Sequence, residues 1–336
     1  MGTRSSRSGK DRLEPRFAHL RRLESTDYGL TVAQASAAFR AVYEAGSKPA
    51  SILIRRSFVA RHKRIHVAGE HDKTPRPKPP LATAKRSKGV ALRLELTLLF
   101  LAQAGQRPTA QFRYPVQTGS ADELGLIDFL STGSNPRENT EYRLSRPAMR
   151  ARQVTNALER LAASELQLVE VSRRSTGRLD ATGQMWVNQE TGPKTTGDVH
   201  RYRMPTPSEK VISVPVEFFL NGWVQVMTDS EIANWLLWRD QGEMREPGIT
   251  TADDLFIDAQ DRLDYYDLSR DVWDTHQMLT RIGLMSVEAG EVEARTTTRG
   301  TRFHREPHKF GLADAPLGQD GHRAMLAAVA ELLDEL

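Results

Sequence analysis

Cysteine is absent from this 336-residue chain. That excludes disulfides, thiol nucleophiles and cysteine-based zinc sites together, and it fits a reducing compartment such as the cytoplasm. No apolar run approaches the ~18 residues that a membrane span needs. The longest, Leu92 to Ala104, is interrupted by Arg93 and Glu95. The N-terminus lacks the apolar stretch of a secretory signal. Neither a GxxxxGK[ST] loop nor a GxGxxG turn occurs, so no phosphate-cradling glycine motif predicts a nucleotide site. At 39% hydrophobic and 27% charged, the chain has the composition of a globular protein with a sizeable core. Its length suggests two or three domains.

Charge is present but unevenly placed. The net charge of +4 divides into +13 over residues 1–88, +3 over 89–207 and −12 over 208–336. A basic front and an acidic rear favour partners of opposite sign at the two ends.

Residues 145–174 carry the most informative pattern. Ser145 can cap a helix whose first turn accepts Pro147. Val154, Ala157, Leu158 and Leu161 follow the i, i+3, i+4, i+7 rule of a buried face. At ~100° per residue, the opposite face carries Arg152, Gln153, Thr155, Asn156, Glu159 and Arg160. Such side chains can bond base edges and phosphates. The strand LQLVEV follows, then Arg173 and Arg174. A helix with a polar, basic face followed by a hairpin is the pattern of a winged helix, in which the helix enters a major groove and the hairpin touches the flanking backbone.

In chain order, residues 1–30 read as a basic arm and 31–69 as a small helical basic region. Within the latter, a helix over 31–46 has Thr31 as cap and Gly46 as stop. Arg55, Arg56, Arg61, Lys63 and Arg64 interleave with apolar residues and form a candidate phosphate-binding face. Residues 70–88, rich in Pro, Lys and Arg, read as an extended, solvated linker.

Residues 89–207 read as a first winged-helix domain. It comprises a buried helix over 90–104, a helix over 120–131 capped by Ser120 and Glu123, the helix after Ser145, and an enlarged wing over 175–200 closed by a strand at 201–205. Residues 208–318 repeat this plan with less basic charge. A strand enters at 211–216, Thr228 and Glu231 cap a helix over 228–241, and an acidic helix covers 251–264. A further helix begins at Ser269, with Arg270, Thr275, His276 and Gln277 on it, and a wing carries Arg295, Arg299, Arg302 and Arg305. Residues 319–336 form a last amphipathic helix. The predicted fold class is therefore mostly α with small β-wings (α+β), as two tandem winged-helix domains behind a basic helical N-terminal region.

Catalytic constellations are sparse. His304 and His308 have a metal-like spacing, but Pro307 intervenes in a strand-like context. Tyr265 and Tyr266 look like paired nucleophiles, yet no histidine pair accompanies them. Asp253, Asp254, Asp258, Asp261 and Asp264 read as a solvated helix face. No metal, no cofactor and no enzymatic role are expected. The expected DNA contacts are Arg152, Gln153, Thr155 and Asn156 on base edges. On phosphates they are Arg55, Arg56, Arg61, Lys63, Arg64, Arg146, Arg150, Arg160, Arg173, Arg174, Arg295, Arg299, Arg302 and Arg305.

The order of elements from Val90 to Leu312, about two thirds of the chain, resembles the tandem winged-helix initiators of plasmid replication. The segments KGVALRLELTLLFLAQ and SVPVEFFLNGWVQVMTDSEIANWLLW are similar to actinobacterial helix-turn-helix proteins, some on mobile elements. The resemblance implies that one unit binds origin repeats while the other helps bind or dimerise. The long basic N-terminal region departs from that pattern. The resulting expectation is a cytoplasmic, nucleoid- or plasmid-associated protein that binds double-stranded DNA, as a replication initiator or transcriptional regulator. A homodimer stays open, and no membrane partner is expected. The alternative is an adaptor that docks a protein on its acidic C-terminal domain.

Overall fold

A computed structural model describes residues 9–62, 77–87, 89–105, 111–112, 114–118, 123–131, 145–180, 185–193, 199–244, 255–290, 292–297, 300–305 and 308–336. Its first helix, α1 (Gly9–Arg22), lies along the last. Leu20 and Leu23 are buried there. Residues 9–22 are thus a packed helix, not the arm expected from their charge: the two leucines supply an apolar edge that the basic residues obscure.

The helix α2 (Val32–Ala45) has the expected cap at Thr31, whose hydroxyl accepts from Gln34 while the Gln34 side chain accepts from the Thr31 amide. Ala35, Ala38 and Phe39 point into the core. The next segment is not helical throughout. It forms the strand β1 (Ser51–Arg55), followed by the one-turn helix α3 (Arg56–Val59). β-Branched Ile52 and Ile54 alternate inward, which is the period of a strand. Pro80–Lys85, expected within an extended linker, forms α4 with Pro80, Leu81, Ala82 and Ala84 buried. Four small or apolar residues in six outweigh the surrounding charge.

The apolar helix α5 (Ala91–Ala104) is buried on all sides, Glu95 included. A short strand, β2 (Gln111–Phe112), follows. In place of a helix over 120–131 there is a 3-10 turn at Leu126–Phe129, with the Asp128 carboxylate accepting from the Gly125 amide. Residues 119–122, with the expected cap Ser120, lie outside the described residues. The helix α6 (Arg146–Ala162) begins after its expected cap, Ser145. The strands β3 (Val169–Val171) and β4 (Met185–Val187) complete a sheet in the order β2-β4-β3. The strand that returns along β3 is therefore β4. The stretch 201–205 contributes only the bridge Asn188↔Arg201.

The second unit opens with β5 (Val211–Pro215), two single turns α7 (Glu217–Leu220) and α8 (Trp223–Val226), and the capped helix α9 (Asp229–Glu243). Gly222, between α7 and α8, has φ 79°, and a Cβ there would stand 2.5 Å from Val32 Cγ1. Both its left-handed backbone and this close approach call for glycine. The acidic helix is shorter than expected, α10 (Ala259–Tyr266), and residues 251–254 lie outside the described residues. The helix expected after Ser269 is broken into α11 (Arg270–Trp273) and α12 (His276–Arg281). The strands β6 (Met285–Glu288), β7 (Val292–Thr297), β8 (Gly300–Arg305) and β9 (Lys309–Leu312) form two antiparallel ladders, β6 with β9 and β7 with β8. The helix α13 (Gly321–Asp334) closes the chain.

The two units repeat one order of elements: a strand, two short helices, a long buried helix, a short strand contact, further helices, then a strand–hairpin–strand. In the first unit the last strand, β4, pairs between β2 and β3. In the second, β9 pairs with β6 and also bridges Leu255 through Phe310. The last strand is central in both.

The units meet at their opening strands. β1 and β5 pair antiparallel about Leu53↔Ser213, and residues 160 apart occupy matching places: Ile52 and Ile212, Ile54 and Val214, Phe58 and Phe218, all buried. The outer edge of each strand is covered from its own long helix. Gln103 of α5 bonds both the amide and carbonyl of Leu53, at 2.9 and 2.8 Å. Arg239 of α9 donates to the carbonyl of Ser213 at 2.6 Å. Exposed sheet edges invite pairing with other chains, and these side chains close them. The expected division at residues 31–69 thus gives way to a strand that belongs to the joint between the units. One core of buried side chains runs from Leu20 to Val329 among the described residues.

Candidate nucleic-acid interface

The helix α6 is the best-formed candidate. The Ser145 hydroxyl accepts from the Ala148 amide at 3.4 Å, and Val154, Ala157, Leu158 and Leu161 are buried as the spacing predicts. Arg152 and Asn156 are exposed, one turn apart, and neither makes a hydrogen bond or ion pair among the described residues. Thr155 beside them is half-buried. Gln153 does not share their face: its amide oxygen is out of solvent and without a partner. Of four expected base-reading side chains, two are fully presented.

Most arginines expected on phosphates are engaged within the protein. Arg173 makes a bidentate pair with Glu159, at 3.0 and 2.6 Å, and so ties the segment after β3 to α6. Arg160 bonds Ser87 and Glu165. Arg174 stands 3.6 Å from Asp180. Arg150 donates to the carbonyl of Ile127 at 2.6 Å, fastening α6 to the 3-10 turn. Arg201 lies over the Trp186 ring at 5.0 Å.

Three further expectations fail outright. Arg55 is buried and forked between Glu190 and Glu209, and it also donates to the carbonyl of Arg203 at 2.9 Å. Burial opposes its charge, but Glu209 and Glu190 outweigh that and raise its pKa. Arg56 donates to both oxygens of the buried Asp240, at 2.9 and 3.1 Å. Arg61 donates to the carbonyls of Pro77 and Asp264. All three are internal fasteners. Their physical reason is position: they end or follow the buried strand β1, so their stems start inside the fold and their heads must find carboxylate or carbonyl oxygens there. Lys63, Arg64 and Arg299 lie outside the described residues, as do the side chains of Arg146, Arg295, Arg302 and Arg305. The register of β7 and β8 does place Arg295 directly opposite Arg302.

In the second unit, Thr275 donates to the carbonyl of Val272 at 2.6 Å, and His276 bonds the carbonyl of Trp273 at 2.7 Å. Both are used locally. Gln277 stays exposed, but Asp271 and Asp274 share the surface.

The buried tyrosine of the 265–266 pair has a structural place. The Tyr266 hydroxyl donates to Asp240 at 2.5 Å and accepts from Gln241 at 2.6 Å. Burial, with Asp240 adjacent, raises its pKa, so a phenolate nucleophile is disfavoured there. Asp258 caps α10. No group of three metal-ligating side chains occurs among the described residues, and none of the described helices is long and apolar enough to cross a membrane. Pattern reasoning missed Glu190, Glu209 and Asp240, the acids that take the arginines. Arg55 and its partner Glu190 stand 135 positions apart, so no local signal marks them. Comparison with protein-family models, with curated proteins and with solved structures gave no match.

Proposed function

We propose that this chain is a sequence-specific double-stranded DNA-binding protein built from two winged-helix units, serving a plasmid or mobile element as replication initiator or transcriptional regulator. The observation that carries this reading is α6. It precedes the strands β3 and β4 of a small sheet whose last strand is central, and it turns Arg152 and Asn156 outward with no partner among the described residues. Winged helices present their third helix to a major groove in this way. Arg152 suits a guanine edge and Asn156 an adenine edge. The central last strand of the second unit supports reading it as a second unit of the same kind. No catalytic role is assigned.

Selection of bound duplexes from a random pool, read by sequencing, tests this directly. A recurrent motif is expected, and its half-site spacing would report whether one chain or a dimer binds. Arg152→Ala and Asn156→Ala should each cost about 1–3 kcal/mol and relax preference at a single position. Unchanged preference in both variants removes α6 from the reading role. An adaptor is the second reading. It is favoured by the acids that neutralise Arg160, Arg173 and Arg174 and by Asp271 and Asp274 on the second unit. It becomes the better account if no duplex is retained at any salt concentration.

A further inference from the structure

The second unit has an arginine in a place where a phosphate could be met, and it is already occupied. Arg281 ends α12, directly before β6. Its guanidinium donates to Glu335, and its Nε lies 3.3 Å from Glu331, both from α13. All three side chains are in contact with solvent, at 32%, 56% and 65% exposure for Arg281, Glu335 and Glu331. Beside them runs a groove of ≈ 920 Å³ between α1, α12 and α13, floored by Leu13, Met278 and Leu332. Arg12 of α1 lines the same groove and makes no hydrogen bond or ion pair among the described residues. Three arginines therefore line one groove: Arg16 is held by Glu231, Arg281 by two glutamates of α13, and Arg12 by no acid among the described residues.

We infer that Arg281 and Arg12 form a phosphodiester-binding position of the second unit, which Glu331 and Glu335 of α13 keep closed by taking the place of a phosphate. The inference rests on the DNA-binding reading above and adds a competitor to it. Its physics is that of exchange. Carboxylate and phosphate both offer paired oxygens to a guanidinium. A solvent-exposed ion pair is worth little, so it can be given up for another anion. The same face carries Asp271 and Asp274. These lie in and just after α11, disfavour phosphate there, and leave Arg281 at the far end of α12 as the contact.

The test uses the full chain and the duplex selected by the wild-type protein, titrated at two salt concentrations. Glu331→Gln/Glu335→Gln should bind about two- to fivefold tighter. Its plot of log affinity against log salt should steepen by about one, as for one added phosphate contact. Arg281→Ala placed in that background should abolish the gain, and Asp334→Asn, on the same helix turn, should not reproduce it. A gain that survives Arg281→Ala is a general effect of lost negative charge and overturns the inference. No gain at all, with wild-type site preference intact, overturns it and leaves the DNA reading standing. If the wild-type chain selects no duplex, the reading fails and the phosphate position fails with it.

Discussion

Arg55→Ala is expected to lower folding stability by about 3–5 kcal/mol, as when one partner of a buried ion pair is removed. Against a total of about 5–15 kcal/mol for a typical domain, that is a large fraction. The loss follows from what stays behind. Glu190 is fully buried and would keep the Arg55 amide as donor at 2.8 Å while losing the guanidinium. The carbonyl of Arg203 would lose its donor too. Urea unfolding would show a lower midpoint at unchanged slope. A phosphate-binding arginine on the surface would give the opposite pair of results, an unchanged midpoint with weaker DNA binding. An unchanged midpoint would return Arg55 to the DNA-binding set.

Glu209 extends the same network to the surface. A side-chain hydrogen bond from Arg55 leads the contacts that hold its carboxyl down to about 2, from an ordinary 4.5. For a depressed carboxyl the sign is definite. Its contribution is complete above the ordinary value and is lost as pH falls from about 4.5 towards about 2. The Arg55 network should therefore loosen in strong acid, and Arg55→Ala should lose its extra acid sensitivity along with its stability.

These cases mark what could be read without coordinates. Caps and periodicity are local, and they located α2, α5, α6 and α9 with their buried faces. Thr31, Ser145 and Thr228 are caps as their spacing predicts. Strand order was not legible: the closing strand expected at 201–205 is β4 (Met185–Val187), which pairs between β2 and β3. What resisted were contacts set by tertiary placement. A run such as Arg55–Arg56 has the same composition whether it lies on a surface or enters a core. Only the pairing of β1 with β5 decides that. The same holds for α1 and α4, whose few apolar residues gain their value from neighbours far along the chain. On α6 the helical projection named six outward residues, of which Arg152 and Asn156 are exposed and Gln153, Thr155, Glu159 and Arg160 are half-buried. It could not show that Arg160 would be engaged by Glu165, which arrives through the turn after α6, or that Arg173, carried back past β3, would pair with Glu159 of α6.

Glu95→Leu is expected to stabilise the protein, and increasingly so as pH rises. Glu95 sits in α5 with no solvent exposure, and neither carboxyl oxygen has a partner. Burial pushes its pKa well above the usual carboxylate range, and the nearby Glu190 adds to this. The folded chain therefore holds a proton that the unfolded chain releases above about 4.5. Between those two values the unfolded state binds fewer protons, so stability falls with rising pH, by about 1.4 kcal/mol per pH unit while only the unfolded state is ionised. Leucine removes that dependence and also the unsatisfied polar group, itself worth about 1–3 kcal/mol. Melting temperatures of both proteins at pH 5 and pH 8 are the measurement. The variant's advantage should widen at pH 8. An equal difference at both values, or a less stable variant, would mean that Glu95 is charged and paired in the folded chain, and that its place in an otherwise apolar helix is one of attraction rather than tolerance.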